Sequence, residues 1–412
     1  MQYDVAVIGG GVVGCSLLHE LTRRGYRCVL LERKEHLVAG ASAGNSGHAH
    51  SGFDTDPASF EGRLLTKART LATDHFYESL GVPYKKVGAL LVAWDTEQLK
   101  KLPEVVRKSH LTGLGGVRQI TQSQLRYLEP NLSHNALGAV IIPDEALVDP
   151  WLLPVMLVHN AQRNGAKVNL SSEVTSCRRL ADGGWLLTTS NGQVEAKVVI
   201  NAAGLYGDKV EEMAGGTSSF SILPRQGQYA VYGREAAPLL RHIILPLPTA
   251  RTKGVTVFPT VYGNVVVGPT AEDVDERDNP TVDGATIDRL VSYAIGVLPA
   301  LRDHKIIGTY AGLRPATASQ DYHIYGNVHR QWITVGGIRS TGLSASQAIA
   351  RHVGSILSTD LKLSPSHCPL DRDIGGATKT WSTDCTELAL DGAGYKVTHP
   401  LTAFGLRKCS KL

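Results

Sequence analysis

Residues 3–8 alternate and then run apolar, a cluster of glycines follows, and residues 12–21 place apolar side chains at helical spacing until Gly25 interrupts them. Residues 28–31 are apolar again and end in Glu32, so the amino terminus predicts strand, turn, helix and strand. Asp56-Pro57 offers an N-cap and a first-turn proline for a helix reaching about Leu80, where Gly81 closes it. Strand-like stretches then alternate with turns through Val92, Val140 and Ile142. Asp149-Pro150 repeats the helix-start chemistry, predicting a helix to Asn164, a stop at Gly165 and a strand over residues 167–170. From Gln228 to Gly268 strands dominate, among them 255–258 and 265–267, as a sheet carrying a substrate pocket requires. Strands at 306–310 and 332–335 precede a helix over about 343–357, with glycines between. Beyond Ser358 periodicity fades and Ser, Thr, Asp and Gly dominate, which predicts a loosely structured tail.

At 412 residues the chain is long enough for two closely packed domains and a large buried core. The 6 cysteines (Cys15, Cys28, Cys177, Cys368, Cys385, Cys409) form no CxxC pair, so neither a disulfide framework nor a structural metal is indicated, and a reducing compartment fits. A net charge of +4 from 42 basic and 38 acidic side chains is too mild and dispersed to argue for nucleic acid. Apolar runs such as 89–94 fall well short of the roughly 20 residues a spanning helix needs. With a strand pattern starting just after Met1, neither a secretory nor a transit segment is expected. The last residues, Ser410-Lys411-Leu412, match the tripeptide read by the peroxisomal import receptor, with Arg407 and Lys408 keeping the tail polar, so peroxisomal or glycosomal import is expected.

The strongest chemical signal is Gly9-Gly10-Gly11-Val12-Val13-Gly14, a GxGxxG between a strand and a helix. Gly9 permits the tight turn, Gly11 lets backbone approach a pyrophosphate, and Gly14 lets helix pack on strand, while the helix N-terminus faces the diphosphate charge. Glu32 closes the second strand, where a carboxylate can accept hydrogen bonds from ribose hydroxyls. A glycine-rich turn without any ligand is the alternative, and the motif alone does not separate NAD from FAD. The stretch 40–52, Gly-Ala-Ser-Ala-Gly-Asn-Ser-Gly-His-Ala-His-Ser-Gly, adds glycines and short polar side chains that can lie against a diphosphate and a ring system.

With that stretch the chain resembles the FAD-dependent oxidoreductases typified by D-amino-acid oxidase, and within them the glycerol-3-phosphate dehydrogenases and L-2-hydroxyglutarate dehydrogenases. The resemblance covers about residues 3–357. Besides the fingerprint with Glu32 and NSGHAHSG from Asn45, it rests on NAAGLYGD from Asn201, PRQGQY from Pro224, RTKGV…PT…GN…VGPTAE from Arg251, AGLRP from Ala311 and GGIRSTGLSASQAIA from Gly336. It implies an α/β, two-domain flavoprotein: a Rossmann-like FAD-binding domain (1–83, 149–222, 306–358) interleaved with an antiparallel-sheet substrate domain (84–148, 223–305), followed by the tail 359–412. It also implies that Gly9, Gly11, Gly14, Glu32 and Arg33 contact the cofactor from the fingerprint and that Ser42, Asn45, Ser46 and Gly47 line the flavin and its diphosphate. Val174 would lie near the adenine, with Ala203 and Gly204 in a second FAD motif. Gly312, Gly337, Thr341, Gly342, Leu343 and Ser344 would approach the isoalloxazine. The residues agree in the last case, because a helix starting near Leu343 directs partial positive charge at the electron-rich end of a reduced flavin.

For substrate chemistry the candidates are His50, Arg314 and Lys253. Hydride transfer from an alcohol needs a base for the hydroxyl proton, and histidine titrates near neutrality. His50 is that candidate; packing beside the flavin, or covalent attachment to it, are its other possible roles. His48, two positions away on the same face of an extended segment, ranks below it. The fork of Arg314 suits a phosphate or carboxylate, an ion pair on the surface being the plainer role. Lys253 is a second anion contact, a flavin neighbour or a solvated loop residue. The resemblance thus implies oxidation of sn-glycerol 3-phosphate at C2 to dihydroxyacetone phosphate, with L-2-hydroxyglutarate as the alternative small anionic hydroxy substrate. A flavin-binding module without turnover and an NAD-dependent dehydrogenase are the contrasting classes. No cysteine-rich carboxy-terminal segment is present to hold an iron–sulfur centre, which leaves oxygen, a quinone or another protein as the electron acceptor.

Overall fold

The computed structural model describes residues 2–181, 183–215, 217–247, 254–368 and 377–407. Two large sheets organise them. In the first, the strands run in the order 174–179, 185–189, 192–201, 3–8, 28–31, 167–169. The strand Gly192–Asn201 is long enough to serve two partners along one edge: its first half pairs antiparallel with Trp185–Thr189 and its second half pairs parallel with Trp332–Gly336. Its other edge pairs parallel with Tyr3–Ile8, which pairs parallel with Cys28–Leu31. These central strands are buried on both faces, which is why 3–8 and 28–31 read as apolar runs rather than as alternation. Val12–Arg23, Leu152–Arg163 and Gly342–Ser355 form a helical layer with one apolar core against the sheet, in which Trp151 is fully buried.

The second sheet is nine-stranded and mostly antiparallel, running 272–273, 223–232, 265–268, 256–259, 243–245, 89–93, 138–142, 118–121, with Ile306–Ala316 laid along Leu223–Tyr232. Its two faces feed separate apolar clusters, one including Tyr232, Val257 and Leu290, the other Phe258, Val266 and Tyr229. The protein is thus a two-domain α/β fold. Residues 306–316, grouped from the sequence with the nucleotide-binding part, belong instead to this second sheet. Only after them does the chain return to the first through His323–Asn327 and Trp332–Gly336.

Two local expectations are corrected. The helix expected from Asp56 to Leu80 is two helices, Phe60–Leu71 capped by Ser59 and Asp74–Leu80 capped by Thr73. Thr73 intercepts the Phe76 amide and restarts the helix, and Gly81 closes it in the left-handed region as expected. The tail is not loose over its described residues. Lys379–Trp381, Glu387–Leu390 and Ala393–Lys396 form a three-stranded sheet, and Pro400–Leu406 is a helix. Leu388, Leu390 and Leu401 are buried, so this segment closes the hydrophobic layer rather than trailing from it. Ser410-Lys411-Leu412 lie outside the described residues.

Candidate active site

The first strand ends at Ile8 and is followed by Gly9, whose φ of +112° turns the chain sharply under Ala202. A side chain on Gly14 would overlap the Gly9 carbonyl, so this glycine sets the approach of helix Val12–Arg23 to the turn. Two side chains complete the turn. Glu32 accepts the Gly10 amide on Oε2 (2.6 Å) and the Lys34 amide on Oε1 (2.8 Å), and Ser42 Oγ accepts the Val12 amide at the helix N-terminus (3.0 Å).

A cavity of about 860 Å³ opens over this turn and continues between the two sheets. At the turn it is lined by Gly9, Gly11, Glu32, Arg33 and Ser42, and beyond them by Val174, Ala203 and Gly204. The guanidinium of Arg33 pairs with Asp278 and lies over the Tyr206 ring at 4.1 Å, and the Tyr206 hydroxyl donates to Asp278. Arg33 therefore fastens the loop around Asp278 to the first sheet, with Tyr206 as a further wall residue that the sequence reasoning missed. Asn45 and Ser46 line the middle of the cavity, and Gly312, Gly337, Gly342 and Leu343 its far end.

Four expected contacts stand behind the lining instead. Gly14 packs helix on turn, as described. Gly47, at φ +69°, donates its amide to Asn45 Oδ1 (2.8 Å). The Thr341 hydroxyl donates to Glu61 and shares a hydrogen bond with the Tyr322 hydroxyl. Ser344 Oγ accepts the His50 amide (2.8 Å) and donates to the His48 carbonyl (3.2 Å). Thr341 and Ser344 thus hold the walls with their side chains.

The cavity fits FAD on its own chemistry. A helix N-terminus and a glycine turn, where a Cβ on Gly11 would crowd Ser42, suit a diphosphate; Glu32 lies at the ribose end; a second helix N-terminus at Gly342 faces the opposite end.

The strand pair His48–Ala49 and Ala146–Val148 brings the substrate chemistry together. In this register Glu145 falls opposite His50, and its Oε2 lies 3.1 Å from His50 Nδ1. The other oxygen, Oε1, accepts both the amide (2.7 Å) and the hydroxyl (2.6 Å) of Ser51. Glu145 is 1% exposed; burial pushes its carboxyl up, but the hydrogen bonds from His50 and Ser51 outweigh this and hold it below the usual range. Glu145 was not singled out from sequence; only its place opposite His50 in a strand pair distinguishes it from any other acidic residue. His48 also borders the cavity, but burial and the neighbouring His50 push its imidazole down to about 3.

Arg314 lines the same cavity from strand Ile306–Ala316, with Nη2 donating to the Thr270 carbonyl (2.9 Å). A side chain on Gly227, in the neighbouring strand, would overlap that guanidinium. Among the described residues no carboxylate pairs with Arg314, whereas Arg225, opposite it in register, pairs with Asp273 at 2.6 Å. Tyr229 completes this wall; burial raises its phenol, an effect that Arg314 partly offsets. Lys253 lies outside the described residues.

This fold and cavity agree with comparison to known proteins. Residues 4–356 match the family model described as FAD dependent oxidoreductase, and the chain belongs to that family. It is 32% identical over 357 residues to the glycerol 3-phosphate dehydrogenase of Caloramator mitchellensis, covering 86% of this chain and 74% of that one. The dithionite-reduced L-α-glycerophosphate oxidase of Mycoplasma pneumoniae with FAD bound superposes with a TM-score of 0.84 at 26% identity, over 93% of this chain and 100% of that one. The mitochondrial L-2-hydroxyglutarate dehydrogenase of Caenorhabditis elegans is 28% identical over 278 residues, 66% of this chain and 64% of that one. FAD is accordingly the cofactor of this chain, and the chain is an FAD-dependent oxidoreductase.

Proposed function

We propose that the protein oxidises sn-glycerol 3-phosphate at C2 to dihydroxyacetone phosphate. FAD supplies the hydride acceptor. The observation that carries the reading is the presence, in one cavity, of a histidine oriented by a buried carboxylate and an arginine with no carboxylate partner among the described residues. With Nδ1–H donated to Glu145, His50 keeps the Nε2 lone pair for the substrate hydroxyl proton. Arg314 would hold the phosphate through the donors that Thr270 leaves free. The names of the relatives from Caloramator and Mycoplasma support the same substrate.

The test is anaerobic bleaching of the flavin by glycerol 3-phosphate, L-2-hydroxyglutarate and sarcosine side by side. Bleaching by L-2-hydroxyglutarate alone would move the assignment to that relative's substrate, and bleaching by none would leave a flavin-binding module. Arg314→Leu should raise the apparent constant for glycerol 3-phosphate by on the order of 100-fold, as removing one partner of a buried charged contact does. Unchanged kinetics would remove Arg314 from the site. Oxygen uptake with the same substrate separates an oxidase from an enzyme needing another acceptor. We also propose peroxisomal import through Ser410-Lys411-Leu412, supported by the tripeptide itself; a reporter carrying residues 400–412 should enter the organelle, and the same reporter without the last three should not.

A further inference from the structure

We infer that Glu145 is the positioning residue of the proton transfer, fixing which nitrogen of His50 takes the substrate's proton and stabilising the imidazolium that results. The inference rests on the proposed alcohol oxidation. His50 is held at three points: its amide by Ser344 Oγ (2.8 Å), its Nδ1 by Glu145 Oε2 (3.1 Å) and the strand around it by pairing with Ala146–Val148. Glu145 is itself held, because Ser51 donates twice to Oε1 and the Ser51 carbonyl accepts from Arg69 Nη1 (2.7 Å). A carboxylate so placed accepts a hydrogen bond from Nδ1–H and leaves Nε2 as the ring's acceptor.

His48 explains why the task falls to His50. Its ring meets His50 edge-on at 5.2 Å and Phe258 at 4.4 Å, it is 5% exposed, and its Nε2 has no hydrogen-bond partner among the described residues. Burial keeps it neutral, and no carboxylate among the described residues hydrogen-bonds to it. The titratable and charged groups around the pair are His48 on the same segment, Tyr84 and Asp144 near Glu145, and Arg69 behind Ser51. Among the described residues, only Glu145 contacts the His50 ring through a hydrogen bond.

The proton balance is simple. The C2 hydroxyl would give its proton to Nε2 as hydride leaves C2 for FAD, the alcohol being oxidised to the ketone and the flavin taking the two electrons, so His50 becomes a cation beside the Glu145 anion; the proton is released once product leaves and His50 returns to neutral.

Glu145→Gln tests this by stopped-flow reduction of the bound flavin with glycerol 3-phosphate, run over a pH series on the holoenzyme. The reduction rate should fall by roughly 10- to 100-fold, as for loss of a partner that orients an active histidine, while the substrate constant changes less than about 3-fold. The ascending limb of the pH profile should move to lower pH, because a neutral amide no longer favours the imidazolium. In a His50→Gln background the same change should add nothing. Four results would overturn the inference: a wild-type rate and profile, an additive loss in the double variant, a pH limb that stays in place, or a loss that tracks only with loss of bound flavin. Glu145→Asp and Ser51→Ala provide milder variants if the amide fails to fold, each expected to slow reduction less than Glu145→Gln does in a folded protein or than His50→Gln does. If wild-type flavin is not reduced by glycerol 3-phosphate at all, the substrate assignment fails instead, and the two failures are thereby distinguished.

Discussion

Tyr310 lies flat against Tyr229, ring centroids 4.4 Å apart at 7°, and its hydroxyl donates to the Asn45 carbonyl at 3.1 Å. Adjacent strands of the substrate sheet thus reach the cofactor-lining segment through one phenol. Burial pushes that phenol well above its usual value, so it stays a neutral donor across the working pH range. Tyr310→Phe keeps the stack and removes the donor. It should cost about 1 kcal/mol of stability, the net worth of one such hydrogen bond, and raise the FAD dissociation constant several-fold. Titration of FAD into apoprotein checks this; unchanged affinity would show that Asn45 is held by its other contacts.

Gly44 and Gly312 cross so closely that a Cβ on Gly312 would stand 2.6 Å from the Gly44 Cα. Both obstacles are backbone, which cannot rotate away. Gly312→Ala should therefore push the Ala41–Gly44 turn and the 306–316 strand apart at a cost of roughly 1–3 kcal/mol, the range for overpacking. Because both segments line the cavity, the variant should purify with a lower flavin-to-protein absorbance ratio. A full flavin complement at wild-type thermal stability would refute the crossing as a constraint.

The nucleotide end of the site was legible because its chemistry is local: Gly9 to Gly14, the following helix and Glu32 lie within one short unit whose strands and turns each leave a signal. The pairing of His50 with Glu145 was not, because no periodicity links positions 95 residues apart; only strand register brings them together. Placing residues 306–316 in the wrong unit has the same origin, since a strand pattern does not name its partner. The tail differs. Asp391-Gly392, at φ 49° and 88°, is the two-residue hairpin turn that such a dipeptide signals, but its flanking strands of 4 residues each are too short to show alternation around it.

Asp149, fully buried, joins three elements. Its Oδ1 accepts the Trp151 and Leu152 amides (both 2.9 Å) and the Thr402 hydroxyl (2.7 Å), while Oδ2 accepts the Tyr262 hydroxyl. The start of helix Leu152–Arg163, the turn after strand Thr256–Pro259 and helix Pro400–Leu406 are thereby tied at one carboxylate. Asp149→Ala leaves four donors, three of them buried, without that partner and should cost roughly 3 kcal/mol or more. A chain ending at residue 398 loses Thr402 and the buried Leu401, and should fall in melting temperature by a comparable amount. A melting point within a degree of wild type for either would show that the terminal helix is only an appendage.

Three buried histidines set the response to acid. His19, His48 and His399, at 2%, 5% and 0% exposure, are each pushed down to about 3, chiefly by burial, with Arg23 adding to the effect at His19 and His50 at His48. Their ordinary value is 6.5, so below that pH the unfolded chain binds protons that the folded chain refuses. Stability contributed by their neutrality is complete above pH 6.5 and is lost as pH falls toward 3, at a limiting slope of about 1.4 kcal/mol per pH unit for each histidine. Glu145 and Asp321, held below the usual carboxylate range, add to the loss in the same direction at lower pH. Urea unfolding at successive pH values measures the slope as a proton count. His399→Gln, which leaves the His50–Glu145 pair itself unaltered, should reduce that count by about one between pH 5 and 4. An unaltered count would mean that His399 is protonated in the folded protein as readily as in the unfolded chain.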